Sequence, residues 1–199
     1  TAIPDGVARH EDWMLFAQRW AELLALLLKL GPGVPAEAQL QFRETRAAVD
    51  DAFAAWLQRR YAGLHNQPAM PPVMLHHIPR AMARTVSKRG TERTALVIVD
   101  GLSLDQWVVI RGVLQQQQPG LRFRESAVFA WIPTITTVSR QAAFSGKPPL
   151  FFPASIGTTD KEPEAWTRFW PDQGLLPKQI GYAKGLGDGG LDTIRALAA

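Results

Sequence analysis

The chain contains no cysteine. Disulfides and thiolate metal sites are therefore excluded, and a reducing compartment, the cytoplasm, is the expected location. It also lacks a long apolar run. The longest, Leu23 to Leu28, sits between Glu22 and Lys29, whereas a membrane span needs roughly 20 apolar residues. That run reads as a buried helix face, and no membrane association is expected. No signal-peptide pattern opens the chain, and no internal repeat is evident. Histidine is scarce, and none of the four follows His77. Charge of one sign is scarce too. The net charge is +4, with 11 Lys and Arg against 8 Asp and Glu in residues 1–90, and 11 against 10 in residues 91–199. Neither half has the basic density of a dedicated nucleic-acid binder. One local cluster, Arg80, Arg84, Lys88, Arg89 and Arg93, stands out. Its first three members share one helix stripe, readable as a solvated face or as a phosphate contact.

What remains is ordinary globular material. With 199 residues and 46% hydrophobic content, the chain can bury a real core in one or two domains. Trp13, Phe16, Ala17, Trp20, Leu23, Leu24, Leu27 and Leu28 recur at helical spacing, which predicts a helix over 11–30 stopped by Gly31-Pro32-Gly33. A second helix is expected from Pro35 to Gly63 through Phe42, Val49, Phe53, Trp56, Leu57 and Tyr61, making an antiparallel hairpin. Residues 66–79 hold four prolines and read as irregular linker. Adjacent His76 and His77 lie there, and a structural or solvent role is expected, because neighbouring side chains seldom chelate one ion together. The chain opens at Thr1, and its last segment, Leu191 to Ala199, is helical in pattern with no stop signal. It is expected to be a piece of a longer protein.

From Thr94 the pattern changes. Ala95-Leu96-Val97-Ile98-Val99 is an unbroken β-branched run of the kind found in parallel strands covered on both faces. Leu104 to Leu114 reads as the following helix, and Ser126 to Ile132 as the next strand, halted by Pro133. Strand, helix, strand implies a crossover unit and an α/β fold with a parallel sheet. The expected division is a helical region with a Pro-rich linker over 1–90 and an α/β domain over 91–199.

Chemistry is expected where the two runs end, because ligands in open α/β sheets lie outside the carboxyl ends of the strands. Asp100 ends the first run. It is either a cation ligand or a loop cap onto Gly101 or Ser103. Thr134, Thr136 and Thr137 follow the second run. A helix starting near Thr137 would set its free N–H groups beside Thr136, a position that favours anions; a threonine that simply caps the helix is the plainer alternative. Ser139 and Arg140 fall on the first helical turn, where a guanidinium suits a phosphate or sulfate oxygen. A hydroxyl nucleophile needs a base or a metal. With no histidine after His77, a metal held partly by Asp100 is the simpler activator. Gly185 to Gly190 lacks the Lys-Ser/Thr ending of a phosphate-binding loop and reads as a turn.

Val99-Asp100-Gly101, followed by Thr136-x-x-Ser139-Arg140 and Ser145-Gly146, resembles the alkaline phosphatase superfamily. The sulfatase branch carries Cys-x-Pro-Ser-Arg-Ala-Ala-Leu-Leu-Thr-Gly, which residues Thr136 to Gly146 match in spacing. The nucleotide pyrophosphatase branch carries Pro-Thr-Lys-Thr-Phe-Pro-Asn-His, which again sets the nucleophile at Thr136. The nearest resemblance is to the PglZ domain of bacterial BREX phage-defence systems. It rests on Val-Asp-Gly-Leu, Asp105-Gln106-Trp107, Pro-Thr-Ile-Thr-Thr-Val-Ser-Arg-Gln-Ala and Trp166-x-x-Phe169-Trp170, and covers about residues 94–185.

The resemblance implies the amino-terminal half of an alkaline-phosphatase-like domain from a metal-dependent phosphoryl-ester hydrolase. Asp100 would bind one of two divalent ions, expected to be Zn2+, and Thr136 would be both metal ligand and nucleophile. Arg140 would contact phosphate or give structural support. Other phage-defence proteins are the implied partners, and a nucleotide or nucleic acid is a candidate substrate. Some features depart from the superfamily. Thr136 cannot become formylglycine, which argues against sulfate ester chemistry, and Ser139-Arg140 replaces the Asn-His of the pyrophosphatases. After Thr136 the acids Asp160, Asp172, Asp188 and Asp192 come without any histidine, so the isolated piece is expected to be inactive. The competing expectation is a non-catalytic scaffold or interaction module of the defence complex, and a third is DNA contact through the stripe at Arg80, Arg84 and Lys88.

Overall fold

The computed structural model describes residues 2–89, 93–187 and 190–198. The α-helices are α1 (His10–Leu30), α2 (Ala36–Arg60), α3 (Ile78–Arg89), α4 (Leu104–Gln117), α5 (Thr136–Ser145), α6 (Glu162–Phe169) and α7 (Gly190–Ala198). Short 3-10 turns connect several of them. The chain forms two compact units, each assembled from two stretches: residues 1–66 with 99–128, and residues 67–98 with 129–199.

In the first unit, α1 begins where Asp12 accepts the Arg9 backbone N–H at 2.8 Å, and it ends at Gly31, whose φ is +52°. Glycine reaches that conformation at little cost. The expected hairpin is present, with α2 continuing into a 3-10 turn over Tyr61–Asn66. Aromatic rings hold α1 on α2: Trp13 lies 4.8 Å from Phe53, and Trp20 stacks on Phe42 at 5.4 Å. Trp56 is buried, and its indole N–H donates to the Ala8 carbonyl at 2.8 Å. α4 packs along α1. Its start is fastened by Gln106, which accepts the Ser103 N–H at 3.0 Å. Trp107 and Arg111 on α4 both bond Glu125, and Arg111 also reaches Glu22 at 3.8 Å. These contacts surround a cavity of about 310 Å³ lined by Trp107, Arg111, Glu22 and Glu125.

The second unit is centred on Ala83 of α3, Phe144 of α5, Trp166 of α6 and Trp170 at the α6 C-cap. Leu96, Ile98, Phe169, Leu175 and Tyr182 pack against them. Gly146 ends α5 with φ +65°, and a β-carbon there would lie 2.8 Å from the Phe169 ring. Both the backbone and the space demand glycine, which accounts for the Ser145-Gly146 ending.

The parallel sheet expected from the two apolar runs is absent. Helix accounts for 63% of the structure, and no strand occurs among the described residues. The run at 95–99 is extended but unpaired. Leu96 and Ile98 pack on the aromatic core, while Val97 and Val99 are 73% and 60% exposed. That is one-sided burial, not the two-sided burial of a central parallel strand. In the second run Phe129 forms an isolated parallel bridge with Met74. Phe129 donates to the Val73 carbonyl at 2.8 Å and accepts from the Leu75 N–H at 3.2 Å. The apolar pattern specified extended backbone, but it did not specify a ladder partner. The α/β fold class is therefore corrected to a helical one.

The proline-rich stretch is also more ordered than a linker. Val73, Met74, His76, His77 and Pro79 are all buried.

Candidate functional site

Thr136 is the first residue of α5 and is exposed to solvent. Ile135, not a threonine, occupies the N-cap position, and no side chain caps this helix. The earliest intrahelical bond runs from the Ser139 N–H to the Ile135 carbonyl at 3.0 Å. The N–H groups of the first turn ahead of it are the ones a helix start leaves unpaired, and they carry the positive end of the dipole. Thr134 is exposed as well, whereas Thr137 and Ser139 are partly covered. Cis peptide bonds precede Pro71 and Pro133.

Arg140 lies one turn further along α5, and its guanidinium is committed to protein. Nε donates to Glu162 Oε1 and Nη2 to Glu162 Oε2, both at 2.7 Å. The Tyr182 hydroxyl donates to the same Oε2 at 2.7 Å. Glu162 has no solvent exposure. Burial pushes its carboxyl pKa up, but the bonds from Arg140 and Tyr182 outweigh this and bring it below the ordinary carboxylate value. The carboxylate raises Arg140, although burial opposes it. Burial and the bond to Glu162 together push the Tyr182 phenol up to about 12. The Arg140 cation also lies 5.9 Å from the centre of the Phe144 ring.

Gln141, the next residue, is 2% exposed. Its amide donates to the carbonyls of Ser155 at 2.6 Å and Thr158 at 2.7 Å, and its oxygen accepts from the Ser155 hydroxyl at 2.7 Å. A fully satisfied amide of this kind fixes the loop ahead of α6 to α5.

The sequence reading overlooked Glu162, Tyr182 and Gln141. A signal was available for the first. Glu162, Trp166 and Trp170 recur every four residues, so the carboxylate shares the aromatic face of α6, where an acid requires a cationic partner.

His77 is buried, and its Nδ1 accepts the backbone N–H groups of Val73 at 3.2 Å and Met74 at 3.3 Å. That fixes the neutral ring with its proton on Nε2. Burial, with Arg80 nearby, lowers its pKa. His76 packs its ring 5.2 Å from Trp131. The pair is structural.

Asp100 belongs to the first unit and sits exposed in the turn that Gly101 completes with φ +72°. It makes no hydrogen bond to Gly101 or Ser103 among the described residues. Asp160, Asp172 and Asp192 join no group of three or more acids or histidines among the described residues, and Asp188 lies outside the described residues. Arg80 and Arg84 are exposed on α3, while the Lys88 side chain lies outside the described set.

The two divalent ions implied by the resemblance do not fit the residues present. Among the described residues, no group of three or more His, Asp or Glu is placed to hold a metal. The threonine hydroxyl is offered to solvent with anion-favouring amides behind it, but no metal-holding group is placed among the described residues to activate it.

A family model for the BREX system PglZ alkaline phosphatase-like domain matches residues 78–194. The chain belongs to the PglZ family. No curated protein and no solved structure matches it. Membership makes the domain phosphoesterase-like and implies other proteins of the defence system as partners. No helix among the described residues is long and apolar enough to cross a membrane.

Proposed function

We propose that this chain carries the nucleophile-bearing segment of a phosphoryl-ester hydrolase of a BREX system, with Thr136 as the attacking group. The carrying observation is the placement of Thr136: exposed, first on α5, backed by unpaired first-turn amides, and followed one turn later by an anchored arginine. The developing negative charge on a phosphoryl oxygen is stabilised by such preorganised donors. Arg140 supports this turn and is not the main phosphate contact, because Glu162 already engages its fork. The 199 residues alone are expected not to turn over ester, because no group of three or more His, Asp or Glu among the described residues is placed to hold a metal.

The test is hydrolysis of bis-(p-nitrophenyl) phosphate with added Zn2+ or Mn2+ by the full-length protein that carries this sequence, by its Thr136→Ala variant and by the 199-residue chain. Turnover by the full-length protein that drops to buffer background in the variant is expected, with none from the chain alone. Activity retained in Thr136→Ala would sink the nucleophile assignment. Thr136-dependent turnover by the 199 residues would refute the incompleteness.

A second reading is a scaffold that uses the domain to hold defence proteins together. The lack of a metal-holding cluster among the described residues favours it. Absence of turnover in the full-length protein under every metal would select it.

A further inference from the structure

Two rows of side chains face each other between α5 and α6. Thr136, Arg140 and Phe144 follow at four-residue spacing on one helix, and Glu162 and Trp166 on the other, continued by Trp170 at its C-cap. The rows meet in rungs. Arg140 bonds Glu162 twice at 2.7 Å, and Phe144 meets the Trp166 ring edge-on at 5.6 Å. Because α6 begins at Glu162, the α5 row runs one turn further, and its last member is the exposed Thr136. A third element closes the arrangement. Trp166 donates to the Gly181 carbonyl at 3.0 Å, and Tyr182, the next residue, bonds Glu162.

Glu162 is the only buried carboxylate among the described residues. A buried pair of this kind is not needed merely to hold two helices together, because apolar residues of similar volume do that as well or better. What an apolar contact cannot do is fix direction. A guanidinium meeting a carboxylate through two parallel bonds has one favourable orientation, and here Tyr182 pins the carboxylate from a further side. The aromatic rungs can slide and tilt, but the Arg140–Glu162 rung cannot.

We infer that Glu162 and Tyr182 are positioning residues. Through Arg140 they set the rotation of α5 about its own axis and so aim the Thr136 hydroxyl one turn ahead. This rests on the reading of Thr136 as the attacking group. A reacting atom displaced by about 1 Å loses on the order of 10²-fold in rate, so a directional lock one turn from the nucleophile has a catalytic consequence that helix packing alone would not have.

The test replaces the lock by grease. The double variant Arg140→Met/Glu162→Leu keeps the contact and removes its directionality. Two readings are taken: amide hydrogen exchange of residues 139–141, the first bonded amides of α5, in the 199-residue chain, and kcat and KM on bis-(p-nitrophenyl) phosphate in the full-length protein. Expected are an unfolding midpoint close to wild type, exchange at these first bonded amides of α5 at least about tenfold faster, and kcat down about 10²-fold with KM little changed. Tyr182→Phe should move both readings the same way by less, and it carries the test alone if the double variant does not fold. Wild-type exchange in these variants overturns the inference whatever the turnover shows. Faster exchange with unchanged kcat overturns it too. If wild-type full-length protein shows no turnover, the reading of Thr136 fails separately, and exchange alone decides whether the lock fixes the turn.

Discussion

Removing the cation of the buried pair should cost far more than removing the pair. In Arg140→Met the Glu162 carboxylate keeps its fully enclosed position and loses two charge-assisted bonds of 2.7 Å, retaining only the Tyr182 hydroxyl. Each such bond contributes about 1.5–3 kcal/mol, and breaking one partner of a buried pair typically costs about 3–5 kcal/mol. We expect a loss of about 4 kcal/mol in the second unit, equivalent to a midpoint lowered by about 15–20 °C for a unit of that size. Adding Glu162→Leu should recover most of it, because no buried charge is then left behind. Because the chain has two units, the assay should report on the second alone. Denaturant-dependent hydrogen exchange at Phe144, Trp166 and Trp170 does so without assuming a single transition. The pH dependence gives an independent check. Glu162 has a folded pKa below its ordinary 4.5, so the unfolded state binds the proton first as acid is added. Its stabilisation is present above about pH 4.5 and disappears as the pH falls through the lower folded value. The Arg140→Met/Glu162→Leu variant should lack that acid-side loss. A single variant costing under about 1 kcal/mol, with no recovery in the double, would refute the account of the pair.

The buried histidine gives a second pH signature. The folded pKa of His77 is lowered from 6.5 by burial and Arg80, so stability should be full above pH 6.5 and fall as the pH drops below it. His77→Asn places an acceptor oxygen near Nδ1 with no titrating proton, and parallel pH profiles for variant and wild type would disprove the role. At the other end of α5, Gly146→Ala forces an L residue to φ +65° and its β-carbon to 2.8 Å from Phe169. A loss of more than about 1–2 kcal/mol in denaturant unfolding is expected, and a neutral substitution would mean that the turn relaxes freely.

Local physics made much of this molecule readable in the sequence. Trp13, Phe16 and Trp20, spaced for one face, gave α1; Phe53 and Trp56 gave its partner; Gly31 marked a helix end that its positive φ explains. The start of α5 at Thr136 fell within a residue of expectation. Nonlocal pairing was not readable. Residues 95–99 have the side chains of a strand, yet their alternation of Leu96 and Ile98 inward with Val97 and Val99 outward rests on helices, with no neighbouring strand to complete a ladder. Arg140 looked available for a ligand because its partner lies 22 positions away on another helix. Glu162 in a first helical turn also has an unremarkable local reading, as a charge complementing the dipole. Only the aromatic row that it shares betrays its burial.

The interleaving of the two units has a consequence for biogenesis. α1 finds its packing partner α4 only after the 32 residues of Gln67–Ile98 have been made and set aside into the other unit. Closing a loop of that length costs on the order of 3 kcal/mol in chain entropy. During synthesis the α1–α2 hairpin therefore waits, with α1 still lacking that partner, until α4 leaves the ribosome. Protection by a holding chaperone, and sensitivity to translation speed over residues 67–103, follow from the order of the chain, not from the strength of either core.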